Sequence, residues 1–138
     1  MRIILLFLFS ALYALAQQDT IKTAEGLRYV RLQAGTGELP AAGDKLKVRF
    51  VGKLQDGTVF ESIEPGQSYT FKLGEGSVIA GWEIGFARMR KGEKGMLIIP
   101  PTLAYGLMGV KDPEDNGKYL VPPDATLWFE VELIDIKR

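Results

Sequence analysis

Residues 78–86 read VIAGWEIGF. Two β-branched residues, Val78 and Ile79, lead through Ala80 to Gly81, and Trp82 follows the glycine directly. Trp82, Phe86 and Met89 fall at i, i+4 and i+7, the spacing of one helix face. The stretch predicts a short helix from about Gly81 to Arg90, with Trp82 first on its apolar side. An aromatic at a helix start commonly fills a core. At the mouth of a short helix it can equally form the base of a pocket. Ser77 stands where it could cap the helix. Arg88, Arg90 and Lys91 suit its negative end, and Gly92 suits the position just past it.

On both sides of the helix the pattern is β. Leu46, Val48 and Phe50 alternate with Lys45, Lys47 and Arg49, the period of a half-buried strand. Asp56-Gly57, between Gly52-Lys53-Leu54 and Val59-Phe60, marks a hairpin. Tyr69, Phe71 and Leu73 alternate as a further strand, and residues 61–68 with Pro65-Gly66 read as a loop or bulged edge. Leu27, Tyr29 and residues 30–32 suggest a first strand, broken by Gly35-Thr36-Gly37 and Pro40. Downstream, residues 95–99 are almost continuously apolar, as in a strand buried on both faces. Pro100-Pro101 ends it. Residues 102–119 read as one long loop, and a loop of that length in a compact domain is usually functional. Leu127, Phe129, Val131 and Leu133 then alternate with Trp128, Glu130 and Glu132 in a last strand expected to pair centrally. The expected fold is α+β: an antiparallel, five- to six-stranded twisted sheet wrapped over one short helix.

The chain has 138 residues, which predicts one domain, and its 16 glycines and 7 prolines suit many turns and short strands. Lysine plus arginine balances aspartate plus glutamate, 17 against 17, so no electrostatic grip on nucleic acid or anionic lipid is expected. There is no cysteine and no histidine. Cysteine nucleophiles, Ser-His-Asp triads, thiolate or imidazole metal sites and histidine acid–base chemistry are thereby excluded, as are disulfides. Catalysis, if any, must come from carboxylates, tyrosines, backbone donors or desolvation.

Residues 1–16, MRIILLFLFSALYALA, read as a signal peptide. Arg2 is the positive start, Ile3 to Leu15 the apolar run, and Ala14-Leu15-Ala16 a small-x-small cleavage site. The run is shorter than the roughly 20 residues of a membrane span; an uncleaved anchor is the alternative. Export to a periplasm or the outside is expected, without stable membrane insertion after cleavage. Residues 17–26 read as a short polar leader, too short for a dimerisation arm, so a monomer is expected. The main domain is placed at 27–138.

Four motifs now stand in order: VRFVGKLQDGTVFES (48–62), YTFKLGEGSVIAGWE (69–83), AYG (104–106) and VPPDATLWFEVELI (121–134). Together they closely resemble FKBP-type peptidyl-prolyl cis-trans isomerases, over about residues 27–138. The resemblance implies catalysis by Trp82, Tyr105 and Glu61. It implies a pocket completed by Phe50, Phe60, Tyr69, Phe71, Val78, Ile79, Val121 and Phe129. Trp82 would lie under the proline ring, with Phe60, Tyr69 and Phe129 as walls. The Ile79 N–H and the Tyr105 hydroxyl would each donate to a substrate carbonyl. No cofactor and no metal are implied. The partners would be unfolded or flexible proline-containing polypeptides, and rapamycin-type macrolides.

The chemistry fits the composition. An X-Pro amide is held planar by resonance behind a barrier of roughly 18–20 kcal/mol. Twisting it makes the carbonyl less polar, so a dry apolar pocket disfavours the planar state more than the twisted one. No nucleophile is needed. Three departures from the family pattern stand out. Phe50 occupies a usual tyrosine position and Glu61 a usual aspartate. The segment 107–119 is longer than in compact members. Its Asp112, Glu114 and Asp115 fit no EF-hand register and read as a solvated turn. The segment is expected to tune the residue accepted before proline. Two rivals are an FKBP-like binding module or holdase with little turnover, and a small carbohydrate- or lipid-binding β domain. Phe50, Phe71 and Phe129 would be buried in any such sheet. Tyr105, between Ala104 and Gly106, falls outside every strand pattern and is the more telling.

Overall fold

The last strand organises the fold. In a computed structural model, which describes residues 20–138, β9 (Leu127–Lys137) lies between β3 (Lys45–Lys53) and β6 (Lys94–Ile99). Its alternate residues Leu127, Phe129, Val131 and Leu133 are all buried, as their period requires. Outward from β6 follow β2 (Arg28–Gln33) and β1 (Thr20–Lys22). On its far edge β3 pairs with two short strands in turn. It pairs with β5 (Tyr69–Lys72) over Lys45–Val48 and with β4 (Val59–Ser62) over Val51–Lys53. All these pairs are antiparallel. Among the described residues the sheet has seven strands, against the five to six expected. The stretch read as a signal peptide, 1–16, lies outside the described residues, as do 17–19.

Among the described residues one α-helix, α1 (Ala80–Phe86), packs on the sheet through its glycines. A Cβ at Gly81 would overlap the side chain of Ile99, and one at Gly85 that of Leu97. The two positions are one turn apart, so the helix backbone presses against β6. Trp82 and Phe86 then project into the core with Met89 behind them. Helix α1 is shorter than the period suggested. After Phe86 the chain tightens, with Arg88 N–H donating to Gly85 O at 3.1 Å and Met89 N–H to Phe86 O at 3.1 Å. Gly92 N–H then donates to Leu133 O at 2.7 Å, fastening the chain to β9. Met89 keeps its buried place although it lies outside the helix. Arg88, Arg90 and Lys91 fall past the helix end, and Lys91 pairs instead with Asp135 at 3.3 Å.

Ser77 does not cap the helix; the N-cap is Ile79, with no side-chain bond. Glu83 does related work from inside the first turn. Its carboxylate accepts from Gly74 N–H at 2.6 Å and from Gly76 N–H at 3.2 Å, tying the incoming loop to the helix.

Two other segments differ from the sequence reading. The stretch 17–26, read as a polar leader, contains β1, which pairs Ile21 with Tyr29. Strand β1 itself carries a single apolar residue, Ile21, so no period announces it. The long loop contains a 3₁₀ turn (Pro101–Leu103) and a hairpin of β7 (Val110–Asp112) and β8 (Asp115–Val121). Asp112 accepts from Glu114 N–H at 2.9 Å and Asp115 from Gly117 N–H at 3.1 Å, so both carboxylates build turns. Nearly all of β8 is exposed, and without a buried face a strand shows no alternation. The Asp56-Gly57 hairpin forms as expected, with Gly57 at φ +91°.

Below the sheet, Glu93 is only 1 % exposed. Its carboxylate accepts from the Tyr29 hydroxyl at 2.6 Å, from Arg31 Nε at 3.3 Å and from Arg90 N–H at 3.2 Å. Burial, then the bond to Glu93, holds the Tyr29 hydroxyl far above its ordinary range. Gly95 lies against the Tyr29 ring, where a Cβ would overlap it.

Candidate functional site

At the open end of the sheet, the loop before α1 faces the segment after β6 across a cavity of about 390 Å³. Trp82 is 5 % exposed yet lines this cavity, so it forms part of its base. Phe50 meets the Trp82 indole edge-on with centroids 4.8 Å apart, and Phe129 does so at 5.4 Å. Tyr69 stands 6.3 Å from it, with planes at 69°. The result is an apolar basket of four rings, each in the edge-on geometry that aromatic quadrupoles favour. The Trp82 Nε1 is buried without a hydrogen-bond acceptor among the described residues.

Gly52 on β3 makes the basket possible. A Cβ there would stand 2.7 Å from Phe129 Cε1 and 2.9 Å from Phe60 Cζ. The two rings occupy the space a side chain would take, edge-on to one another at 5.5 Å.

Polar groups gather on one side. Ser77, Val78 and Ile79 form the rim leading into α1. The Ile79 carbonyl accepts from Trp82 N–H at 2.9 Å and Glu83 N–H at 3.2 Å, while its own N–H is engaged by no group among the described residues. Glu61 and Tyr105 line the cavity as well. Burial raises the Glu61 carboxyl above the ordinary carboxylate value although its residue is exposed overall. Burial, and then the charge of Glu61, raises the Tyr105 hydroxyl. The carboxylate and the phenol therefore sense each other across the same small space.

Eight of the eleven residues singled out from the sequence line this cavity: Phe50, Glu61, Tyr69, Val78, Ile79, Trp82, Tyr105 and Phe129. Three do not. Phe60 leans on Phe129 from the side. Phe71 is buried behind Tyr69, which it stacks on at 6.3 Å, and it touches Phe86 at 5.6 Å. Val121 is buried at the end of β8. Sequence reasoning missed Gly52 and Glu83, which position the cavity without lining it, and assigned Ser77 to the helix cap. A glycine interrupting an alternating strand was the available signal for Gly52.

A hollow of about 440 Å³ on the other face of the sheet is larger. Arg49 and Glu132, which line it, are paired with one another at 3.4 Å. Size does not locate a site. The smaller cavity is distinguished by converging aromatic rings, an unengaged N–H and two titratable groups shifted by burial.

Antiparallel strands wrapped over a short helix, with an aromatic cavity at the helix start, define an α+β domain built to hold a compact apolar group. The FKBP-type peptidyl-prolyl cis-trans isomerase family profile matches residues 36–134. FK506-binding protein 1 of Dictyostelium discoideum is 42 % identical over 113 residues, covering 81 % of this chain and 99 % of that protein. FK506-binding protein 4 of Neurospora crassa is 41 % identical over 119 residues, 86 % of this chain but 24 % of that protein. The chain thus spans about a quarter of the length of the FK506-binding protein 4 relatives it matches. The crystal structure of a peptidyl-prolyl cis-trans isomerase from Pseudomonas syringae pv. tomato superposes with a TM-score of 0.74 at 36 % identity. That match covers 87 % of this chain and 82 % of the other. The chain belongs to the FKBP-type peptidyl-prolyl cis-trans isomerase family.

Proposed function

We propose that the cavity takes the proline ring of an X-Pro segment against Trp82 and accelerates cis–trans isomerisation of the bond before it. The observation that carries this reading is the ring of Phe50, Tyr69 and Phe129 around the Trp82 indole, beside the unengaged Ile79 N–H. In the planar state the X-Pro carbonyl is strongly polar and loses solvation inside such a basket. In the twisted state resonance is broken and less solvation is lost. The Ile79 N–H and the Tyr105 hydroxyl hold flanking substrate carbonyls, and Glu61 orients the polar side. Lowering the barrier by roughly 4–8 kcal/mol gives an acceleration of about a thousandfold to a millionfold.

The physiological substrates are proline-containing segments of unfolded or flexible exported polypeptides, and the protein assists their folding after passage through a membrane. Arg2, the apolar run 3–15 and the Ala14-Leu15-Ala16 site support export. A mature N-terminus at Gln17, read by N-terminal sequencing of protein recovered outside the cytoplasm, is the check. The protein acts as a monomer, and the same basket accepts rapamycin-type macrolides.

The test is a prolyl isomerisation assay with a short Leu-Pro or Phe-Pro peptide, beside Tyr105→Phe and Glu61→Asp. The expected result is a clear acceleration, reduced by Tyr105→Phe and held or raised by Glu61→Asp. A folded protein with no acceleration favours the second reading, a low-turnover binding module or holdase. The specific observation on its side is Phe50, whose cavity-lining ring lacks a hydroxyl.

A further inference from the structure

Eight large hydrophobic residues are exposed among the described residues, and four of them, Leu107, Met108, Tyr119 and Leu120, lie within 107–120. Leu107 and Met108 are extreme, at 79 % and 83 % exposure. They are held there by the backbone. Gly109 N–H donates to Tyr105 O at 3.2 Å, closing a turn with Leu107 and Met108 at its tip and cavity-lining Tyr105 at its base. Gly106 and Gly109 sit at φ +60° and +61°. Gly106 N–H is fixed to Pro101 O at 2.9 Å, and Gly106 O accepts from Asp124 N–H at 2.8 Å. At Gly109 a Cβ would overlap the Val121 carbonyl. These contacts fix the backbone of the turn that carries the two side chains.

We infer that Leu107 and Met108 form an apolar docking surface for the stretch of substrate polypeptide beyond the X-Pro bond. The inference rests on the isomerase reading of the cavity. Its occupant is an extended, uncharged apolar segment of an unfolded chain. Three observations favour that occupant. Leu107 and Met108 follow the cavity-lining Tyr105 by two and three residues within the turn it closes, so one chain can reach both. The turn itself, residues 105–109, carries no charged side chain. Methionine, unbranched and polarizable, accommodates varied side chains as a surface meeting many sequences requires. Neither side chain lines the cavity, so the contact falls on flanking chain, which advances about 3.3 Å per residue, rather than on the proline itself. This surface therefore distinguishes long substrates from short ones. It would recruit hydrophobic unfolded segments in preference to polar linkers.

The test uses three fluorescently labelled peptides with the same Ala-Leu-Pro-Phe core. One is the core alone, one carries Leu- and Phe-containing flanks, and one carries Ser-Gly flanks. Binding by anisotropy and isomerisation rates are measured for the unaltered protein and for Leu107→Ser with Met108→Ser, both exposed and so compatible with folding. The expected result is a preference for apolar flanks in the unaltered protein. The double variant should lose about tenfold on that peptide in both readouts and keep the rate and affinity for the core alone. An unaltered protein with no preference for apolar flanks, or a preference that survives in the double variant, overturns the inference. So does an equal loss on all three peptides, which would make the turn a support for Tyr105. Absent catalysis of the core peptide by the unaltered protein would sink the isomerase reading on its own. The anisotropy comparison would still decide the docking surface.

Discussion

The ring of Phe50 stands edge-on to the indole of Trp82, with centroids 4.8 Å apart and planes at 75°. Phe50 also meets Tyr69 at 6.3 Å and Phe129 at 6.1 Å, so it joins both walls of the cavity to its base. Each such pair contributes about 0.5–1.5 kcal/mol beyond burial. Phe50→Leu is expected to lower stability by about 1–3 kcal/mol in urea unfolding. It should also reduce kcat/KM several-fold at temperatures where the variant stays folded. A stability loss with unchanged kcat/KM would assign Phe50 to the core alone.

Gly52 shows how a backbone position can shape a cavity it does not line. Gly52→Ala drives a methyl group into Phe129 and Phe60. Overpacking of this kind costs typically 1–3 kcal/mol. Relaxation that displaces the Phe129 ring changes the cavity it lines. The expected signature is a raised KM for an X-Pro peptide together with a lowered melting temperature, measured by steady-state kinetics and calorimetry. Unchanged KM in a destabilised protein would show that the strain is relieved without disturbing the cavity.

Glu83 fastens the rim rather than the core. Glu83→Ala releases Gly74 N–H and Gly76 N–H, and with them the loop carrying Ser77, Val78 and Ile79. Both bonds are exposed, so the expected stability loss is only about 1 kcal/mol. Substrate binding should suffer more than stability, with KM rising and amide exchange at residues 74–79 accelerating. Hydrogen exchange read residue by residue checks this. Exchange at 74–79 that matches the unaltered protein would leave Glu83 without a positioning role.

The fold was legible wherever one face of an element is buried. The alternation of β3 and β9, the apolar run of β6 and the Asp56-Gly57 hairpin all have the periods that burial imposes. The hairpin of β7 and β8 was not legible, because Lys111, Glu114, Asp115, Asn116 and Lys118 are exposed and carry no pattern. The end of α1 was misplaced for a related reason. Met89 is buried like a helix residue, but i→i+3 turns bring it there. At the site, side chains that line the cavity were legible as types in motifs. Gly52 and Glu83 act through a missing Cβ and through two backbone donors, and neither effect has a sequence period.

Tyr29 and Glu93 offer a contrast, a polar pair remote from the cavity. Tyr29→Phe removes the hydroxyl that donates to the nearly fully buried Glu93 carboxylate. A buried acceptor losing a donor costs about 1–3 kcal/mol. The urea midpoint should fall accordingly while kcat/KM, measured where the variant is folded, stays the same. A change in kcat/KM would mean that the core below the sheet is coupled to the cavity.

Glu61 should give the protein its pH dependence above the range of ordinary carboxylates. Burial raises its carboxyl above 4.5. The folded protein then holds this proton more tightly than the unfolded chain does. The stability contribution is fully present below about pH 4.5 and is lost as pH rises through the raised value. Activity runs the other way. If the ionised carboxylate orients substrate beside Tyr105, kcat/KM rises with pH through the same group. Asp56 and Asp135 do not confuse the reading, since hydrogen bonds from Thr58 and Ile136 N–H hold them below 3.8. Glu61→Gln should abolish both trends between pH 4.5 and neutrality, flattening melting temperature and kcat/KM together. A midpoint unchanged in Glu61→Gln would assign the titration to another group. The loss of only one trend would separate the carboxylate's effect on stability from its part in positioning substrate.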